Sequence, residues 1–405
     1  MVTSTGADGT MIGHFDVERA RRETPGVQSV IHLNNAGSAL PPAPVLGAVI
    51  DHLRLEAALG GYEAADTARE AVEHTYDAVA ALLGCRPDEI AVVENATRAW
   101  DMAFYAMRFQ PGDRILTARA EYASNVIAFL QVARRTGAVV EVIPDDEFGQ
   151  VSVDALERML DERVRLVAIT HVPTQGGLVN PAAAIGSVTR AAGVPYLLDA
   201  CQSVGQFPVR VDEIGCDMLS ATGRKFLRGP RATGFLYVRR EIIEQLEPPF
   251  LDLHAAEWTA PDRYEIRPDA RRFENWETNY ATKIGLGVAV DYALGWGLEA
   301  IQHRTTTLAE SLRERLVGIS GVTVHDQGAQ RCAIVTFTKE GFSATDVSTR
   351  LREVGINTSV TSVESARFDF EARGLTEMVR VSPHYYNTHG ELDRLCALIE
   401  GRSRP

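Results

Sequence analysis

The sequence predicts an α/β protein in two unequal parts: a large domain on a mostly parallel central sheet, and a smaller α+β domain at the C-terminus. Three observations carry this. Between Ile31 and about Tyr237, short β-branched or apolar runs alternate with longer helical patterns, as successive βαβ units do. After Thr278 that alternation gives way to a long apolar stretch, a helix and several separate strands. With 405 residues, 45% hydrophobic and 23% charged, the composition is that of a globular chain long enough for two domains, which excludes wholesale disorder and a fibrous repeat.

Taken in order, the first dozen residues read as a disordered tail. Residues 1–25 are expected to form a tail or small-domain segment, 26–280 the large domain and 281–405 the small one. Pro42 opens a helix that Gly60-Gly61 closes, with Val45, Val49 and Leu53 on one face. Strands are expected at Glu89–Glu94, Arg114–Ala118, Val139–Ile143, Val164–Thr170, Pro195–Asp199, Cys216–Ala221 and Gly234–Val238. Ser124 precedes a helix over Asn125–Thr136 that stops at Gly137, and Asn180-Pro181 caps another that runs to Gly193. Beyond the boundary, Lys283–Trp296 leads into helix Arg304–Leu316. Strands follow at Val322–His325, Cys332–Phe337, Ile356–Val360 and Met378–Ser382, and a closing helix begins near His389.

Charge and cysteine content narrow the function. Lys and Arg total 41 against 54 Asp and Glu, a net charge of −13, which argues against a partner bound through a phosphate backbone. Five cysteines without CxxC spacing make a disulfide framework or zinc site unexpected, and a reducing cytoplasm is the expected location. No metal is expected. No signal peptide is visible in the opening MVTSTGADGTMIGHFD, and no run approaches the roughly 20 apolar residues of a membrane span.

Chemistry concentrates in Val194–Val238. An apolar strand ends in Asp199 with Gln202 three residues on, at the carboxyl end of a parallel strand, where ligand sites lie. Lys225 follows a later strand in Thr222-Gly223-Arg224-Lys225. A lysine is ordinarily a solvated surface residue, but one desolvated beside a second cation loses proton affinity and becomes a usable amine. An Asp and a Lys so placed suit pyridoxal phosphate: the Lys forms a Schiff base, and the Asp keeps the ring nitrogen protonated. Asn95-Ala96-Thr97 opens a helix after a strand, where backbone N–H groups bind a phosphate without net basic charge; the plainer reading is a helix cap.

These motifs resemble the class V aminotransferase and cysteine desulfurase branch of the fold-type I pyridoxal-phosphate enzymes, in order from His32 to the closing helix. The resemblance implies roles for particular residues. HLNNAGSALPP places Ala36 and Gly37 at the substrate carboxylate; Ala96 and Thr97 match the phosphate turn. Tyr122 matches the residue stacked on the ring, a position usually held by His in the desulfurases. Thr174 stands where desulfurases have Asn. Asp199 and Gln202 match the partners of the ring nitrogen and ring hydroxyl, Thr222 a phosphate ligand and Lys225 the cofactor lysine, preceded by Arg224 where the family commonly has His. In RFENWETN, Thr278 is a candidate phosphate ligand for a neighbouring subunit, which implies a homodimer. Arg380 in VRVSPHYYNTHGELDRL matches the arginine that grips the substrate α-carboxylate.

One departure directs the functional expectation. The segment Ile356–Leu375, where a desulfurase carries its persulfide-accepting thiol, contains no cysteine. The expected activity is therefore that of a carbon–sulfur β-lyase, cleaving an S-conjugated cysteine to thiol, pyruvate and ammonia. It resembles the natural-product lyases of antibiotic biosynthesis, including those of lincosamide type. The same residues serve decarboxylation-coupled oxidative deamination, transamination or epimerisation equally well. A serine hydrolase is a remote alternative, since Cys201–Gly205 lacks the first glycine of a nucleophile elbow, and a non-catalytic binding protein would have lost Lys225 or Asp199.

Overall fold

The central strands are apolar on both faces, as in a sheet covered on two sides. In the computed structural model, which describes residues 15–401, they form one seven-stranded sheet. The tail expected over the first dozen residues lies outside the described residues. We number the strands β1 (Ile90–Val93), β2 (Arg114–Thr117), β3 (Val139–Val142), β4 (Val164–Thr170), β5 (Tyr196–Asp199), β6 (Met218–Thr222) and β7 (Gly234–Val238). Their order across the sheet is β1-β7-β6-β5-β4-β2-β3. β7 runs antiparallel to both neighbours and every other pairing is parallel.

Register brings the chemistry to one edge. Thr170 pairs with Asp199 and Asp199 with Ser220, so β4, β5 and β6 end almost level. Gly234 pairs with Val93 on one side and Thr222 on the other, which brings the turn after β1 to the same edge. A Cβ on Gly234 would lie 2.5 Å from the Asn95 carbonyl carbon, so only glycine lets the helix start approach this closely.

The C-terminal part carries a four-stranded antiparallel sheet. Its strands are β8 (Val322–Val324), β9 (Val335–Lys339), β10 (Ser359–Ser362) and β11 (Glu377–Val381), in the order β8-β9-β11-β10. The N-terminal segment joins it: Ile31–His32 pairs with Ile356–Asn357, and Arg21 bonds Glu391 at 2.8 Å. Helix Tyr280–Trp296 packs on helices Ala43–Leu59 and Arg69–Leu83, then bends by 80° into Leu298–Val317. Among the described residues, no single helix is long and apolar enough to cross a membrane.

Several boundaries differ from expectation for visible reasons. The strand expected at Cys332–Phe337 begins at Val335, because the Cys332 and Ile334 carbonyls accept from the buried Arg313 guanidinium (2.8 and 2.7 Å). The strand expected at Ile356–Val360 is divided at Thr358, whose side chain bonds Ser348, with one half paired to Ile31–His32 and the other to β11. Asn180 caps no helix. Its amide donates to Thr170 O (2.7 Å) and its oxygen accepts from Val151 N (3.0 Å), while Pro181 precedes the helix Ala182–Ala192.

Candidate active site

One wall of the site is the C-terminal edge of the large sheet. Asp199 closes β5; its Oδ1 accepts from Cys201 N (2.9 Å) and its Oδ2 from Asn125 Nδ2 (3.1 Å). Gln202 Nε2 donates to Ala36 O (3.0 Å) and Thr174 Oγ1 (3.2 Å), leaving Oε1 buried without a partner. Thr222 closes β6, its hydroxyl donating to Thr233 O at 3.2 Å. Lys225 follows on a loop that passes over Gly205, whose φ of +87° and absent Cβ let it lie against Phe226 and Leu227. Burial lowers the proton affinity of Lys225, Arg224 and Arg380 lower it further, and Cys201 and Asp199 oppose the shift.

The lysine loop is clamped from the C-terminal part and the N-terminal segment together. His384 Nε2 lies 2.8 Å from Phe226 O. Arg228, buried with φ +62°, donates to Leu40 O, Tyr385 Oη and Thr24 Oγ1 (2.9, 2.7 and 2.6 Å). A non-glycine residue in this region costs about 1–3 kcal/mol, which these buried bonds offset.

Helix Ala96–Phe104 starts beside this wall. Asn95 Oδ1 accepts from Arg98 N (2.8 Å), so Asn95 is a cap, and the Ala96 and Thr97 N–H groups open the first turn, where donors have no carbonyl within the helix. A single pocket is lined by Ala96, Thr97, Tyr122, Thr174, Asp199, Gln202, Thr222 and Lys225, together with Asn95, Thr170, Val172, Cys201 and Arg224. Of the expected site residues, Ala36, Gly37 and Arg380 are not in its lining, and neither is Thr278. Thr278 lines a separate cavity with Glu94, Asn275 and Lys283.

A second group of residues, joined to that pocket through Thr174 and Arg224, is assembled from distant segments. Arg380, on β11, donates through Nη1 to Thr174 Oγ1 (2.6 Å) and Thr174 O (3.1 Å), and through Nη2 to Asn34 Oδ1 and Ser359 Oγ (both 3.4 Å). Its Nε is buried without a partner. Burial pushes the guanidinium down to about 10, with Arg224 adding to the shift, so it stays charged at neutral pH. Ala36 N donates to Ser382 Oγ (2.9 Å), and Gly37 O accepts from Arg224 Nη1. Arg224 is thus tied to the loop that carries Gly37, whose Ala39 N donates to Arg224 O at 2.9 Å. The segment expected to lack a thiol forms β10 and helix Arg367–Ala372, and Ser365 O accepts from Ala123 N (3.0 Å) beside Tyr122.

Sequence reasoning passed over two residues here. Glu121, fully buried between β2 and helix Ala123–Thr136, accepts a bond from Asn125, which also donates to Asp199. Ser203, by contrast, donates to Ala200 O at 3.2 Å and is fully buried, so the hydrolase alternative has no exposed nucleophile.

A flat, phosphate-bearing ring fits what is present. The pocket offers helix-start N–H groups, Thr hydroxyls, a carboxylate, an amine, an aromatic side chain and the unpaired amide oxygen of Gln202. The sequence profile of the class V aminotransferases matches residues 31–395. The chain belongs to the class V aminotransferase family. It is a pyridoxal-phosphate-dependent, lyase-type enzyme of fold type I.

The chain is 32% identical over 398 residues to a probable cysteine desulfurase of Xylella fastidiosa, covering 95% of both. The apo structure of a cysteine desulfurase from Thermococcus onnurineus NA1 superposes with a TM-score of 0.87 at 25% identity, covering 95% of this chain and 97% of that one. A cystine C–S lyase, solved with its product cysteine persulfide, shares the fold with a TM-score of 0.84 at 21% identity, covering 93% and 99%.

Proposed function

We propose that this enzyme is a carbon–sulfur β-lyase that cleaves an S-conjugated cysteine, with one water, to thiol, pyruvate and ammonia. The observation that carries the reading is the state of the thiols. None lies on the segment Ile356–Leu375, and burial pushes all five up, Cys216 and Cys332 to about 12 and Cys396 to about 11, with Cys85 and Cys201 also raised. Cys201, which lines the pocket, is held protonated by burial and by Asp199, so no thiolate is ready to accept sulfur.

Bound pyridoxal phosphate supplies an electron sink that acidifies the Cα–H of an attached amino acid. Asp199 would accept the ring N–H, Tyr122 would cover a ring face, and Ala96, Thr97 and Thr222 would hold the phosphate. Arg380 would grip the α-carboxylate as a fork, with its orphaned Nε available to it. The lowered proton affinity of Lys225 suits its amine to take the Cα proton as the thiolate leaves from Cβ.

The same reading includes a homodimer with Thr278 serving the partner's phosphate. Exposed apolar side chains at Leu46, Ile50, Leu53, Phe250 and Trp276 support it. Mixing inactive Lys225→Ala with Thr278→Ala chains should restore one intact site per mixed dimer, and no restoration would count against a shared site. Five free cysteines suit a reducing cytoplasm, and the sulfur-conjugate substrate suits an antibiotic-type pathway.

Incubation with S-alkyl and S-glycosyl cysteines tests the reaction. Pyruvate with free thiol is the expected product set. Carbon dioxide with an aldehyde would replace the reading by decarboxylative deamination, and deuterium exchange at Cα without cleavage by epimerisation.

A further inference from the structure

We propose that Glu121 is a positioning residue for the cofactor: acting through Asn125, it holds the Asp199 carboxylate toward the ring nitrogen and helps keep that nitrogen protonated. The inference rests on the cofactor reading of the pocket.

Glu121 accepts hydrogen bonds from five donors. Tyr122 N (2.8 Å), Asn125 Nδ2 (2.9 Å) and the Thr170 hydroxyl reach Oε1; the Thr117 hydroxyl (3.1 Å) and Thr170 N (3.0 Å) reach Oε2. These donors stand at the end of β2, the end of β4 and the start of helix Ala123–Thr136, so one carboxylate joins two strand ends and a helix start beside the pocket. Among the described residues, no Lys, Arg or His makes an ion pair with it. A buried carboxylate without a countercharge costs folding free energy, so its effect lies in what it orients.

What it orients is Asn125. An amide nitrogen has two protons, and here both go to carboxylates, one to Glu121 Oε1 and one to Asp199 Oδ2. Turned over, the amide would present its oxygen to two acceptors. Glu121 therefore selects the orientation in which Asn125 donates to Asp199, while Cys201 N holds the other oxygen. Both oxygens are fixed before a ring N–H arrives.

Charge acts in the same direction. Burial, with Asp199 adding, pushes Glu121 up to about 7, and the other titratable group facing it is the buried phenol of Tyr196. Lys225 faces Asp199 from beyond β6. A protonated ring nitrogen would bring to this carboxylate pair a cation that Glu121 has no side-chain partner to provide.

The test is the 15N chemical shift of ring-15N pyridoxal phosphate bound to the full chain, followed across pH, with Asp199→Asn as the control. In the wild type the ring nitrogen should stay protonated through neutral pH. Glu121→Gln should lower its titration midpoint by about one pH unit, Asn125→Ala should do the same, and the double variant should go no further than the larger single change. An unchanged midpoint in Glu121→Gln while Asp199→Asn moves it, or additive shifts in the double variant, would overturn the proposal. If Glu121→Gln does not fold, Asn125→Ala carries the test, since it keeps Glu121 and four of its donors; an unchanged midpoint there is equally fatal. A wild type that binds no cofactor, or an Asp199→Asn variant that titrates like it, would fail the cofactor reading itself.

Discussion

The two walls of the proposed site are built by different means, and of the second only Thr174 lines the pocket itself. The cofactor wall consists of residues that end or immediately follow strands in register: Thr170 and Asp199 on neighbouring strands, Thr222 beside Gly234, and the helix start after β1. The carboxylate wall joins Asn34, Thr174, Ser359 and Arg380 across separations of up to 346 residues. The strand-end residues of the first are fixed once the sheet forms. The second exists only when the N-terminal segment and the small sheet close on the large domain. Chemistry can therefore be removed on one side while recognition survives on the other.

Lys225→Ala breaks the cofactor wall most severely. The visible band of the holoenzyme that borohydride bleaches should be lost, and kcat should fall by about 1000-fold or more, the scale of a removed general base. A reducible band that persists would remove Lys225 from the chemistry. Arg380→Ala should do the opposite: cofactor affinity stays within a few-fold while kcat/KM falls about 100-fold, as when a charge-assisted fork is removed. A large loss of cofactor affinity there would show that the two walls are not separable.

Two buried glutamates sharpen the contrast in electrostatic terms. Glu274 lies 3.6 Å from Lys283 Nζ and 3.2 Å from His254 Nε2, and accepts from Tyr76 Oη and Val92 N. Burial alone would raise it, but Lys283 and these bonds hold it below the ordinary carboxylate value. Glu121 has hydrogen bonds and no cation, and burial raises it from 4.5 to about 7. Between those values the folded protein keeps a proton that the unfolded chain has lost, so stability conferred by this group falls as pH rises through the window. Relative to Glu121→Gln, the wild type should lose about 1–3 kcal/mol between pH 4.5 and 7 in chemical denaturation. A constant difference would mean that Glu121 is ionised throughout.

Thr174 is where the walls meet, its hydroxyl accepting from both Gln202 and Arg380. Thr174→Val should cost about 10-fold in kcat/KM, the scale of one buried bond to a charged group. With Arg380→Ala the losses should be non-additive. Additive losses would show that Thr174 serves the ring side alone.

The difference between the walls also governs what could be read from the chain. Asp199 and Lys225 could be singled out because strand ends are local features and a parallel sheet places its ligands there. Arg380 entered through family resemblance; nothing near it in sequence points to Thr174, because their contact depends on how β11 meets the loop after β4. Glu121 was hidden for a different reason. Beside Tyr122 it reads as a helix-start acid, and its burial depends on Thr117 and Thr170 arriving from two strands.

Tyr122 gives the smallest effect and the finest test. It is 37% exposed and stands where the desulfurases usually have His, so two roles compete: an aromatic face or a polar atom near the substrate. Stacking is worth about 0.5–1.5 kcal/mol, at most about tenfold in affinity. If the face matters, Tyr122→Phe should keep cofactor affinity within about twofold and Tyr122→Ala should lose up to about tenfold, both with small changes in KM. If the hydroxyl matters, Phe and Ala should behave alike, and the loss should appear in kcat. Its main-chain N–H is held by Glu121 at 2.8 Å, so each variant keeps the backbone where it is, and the comparison isolates the ring.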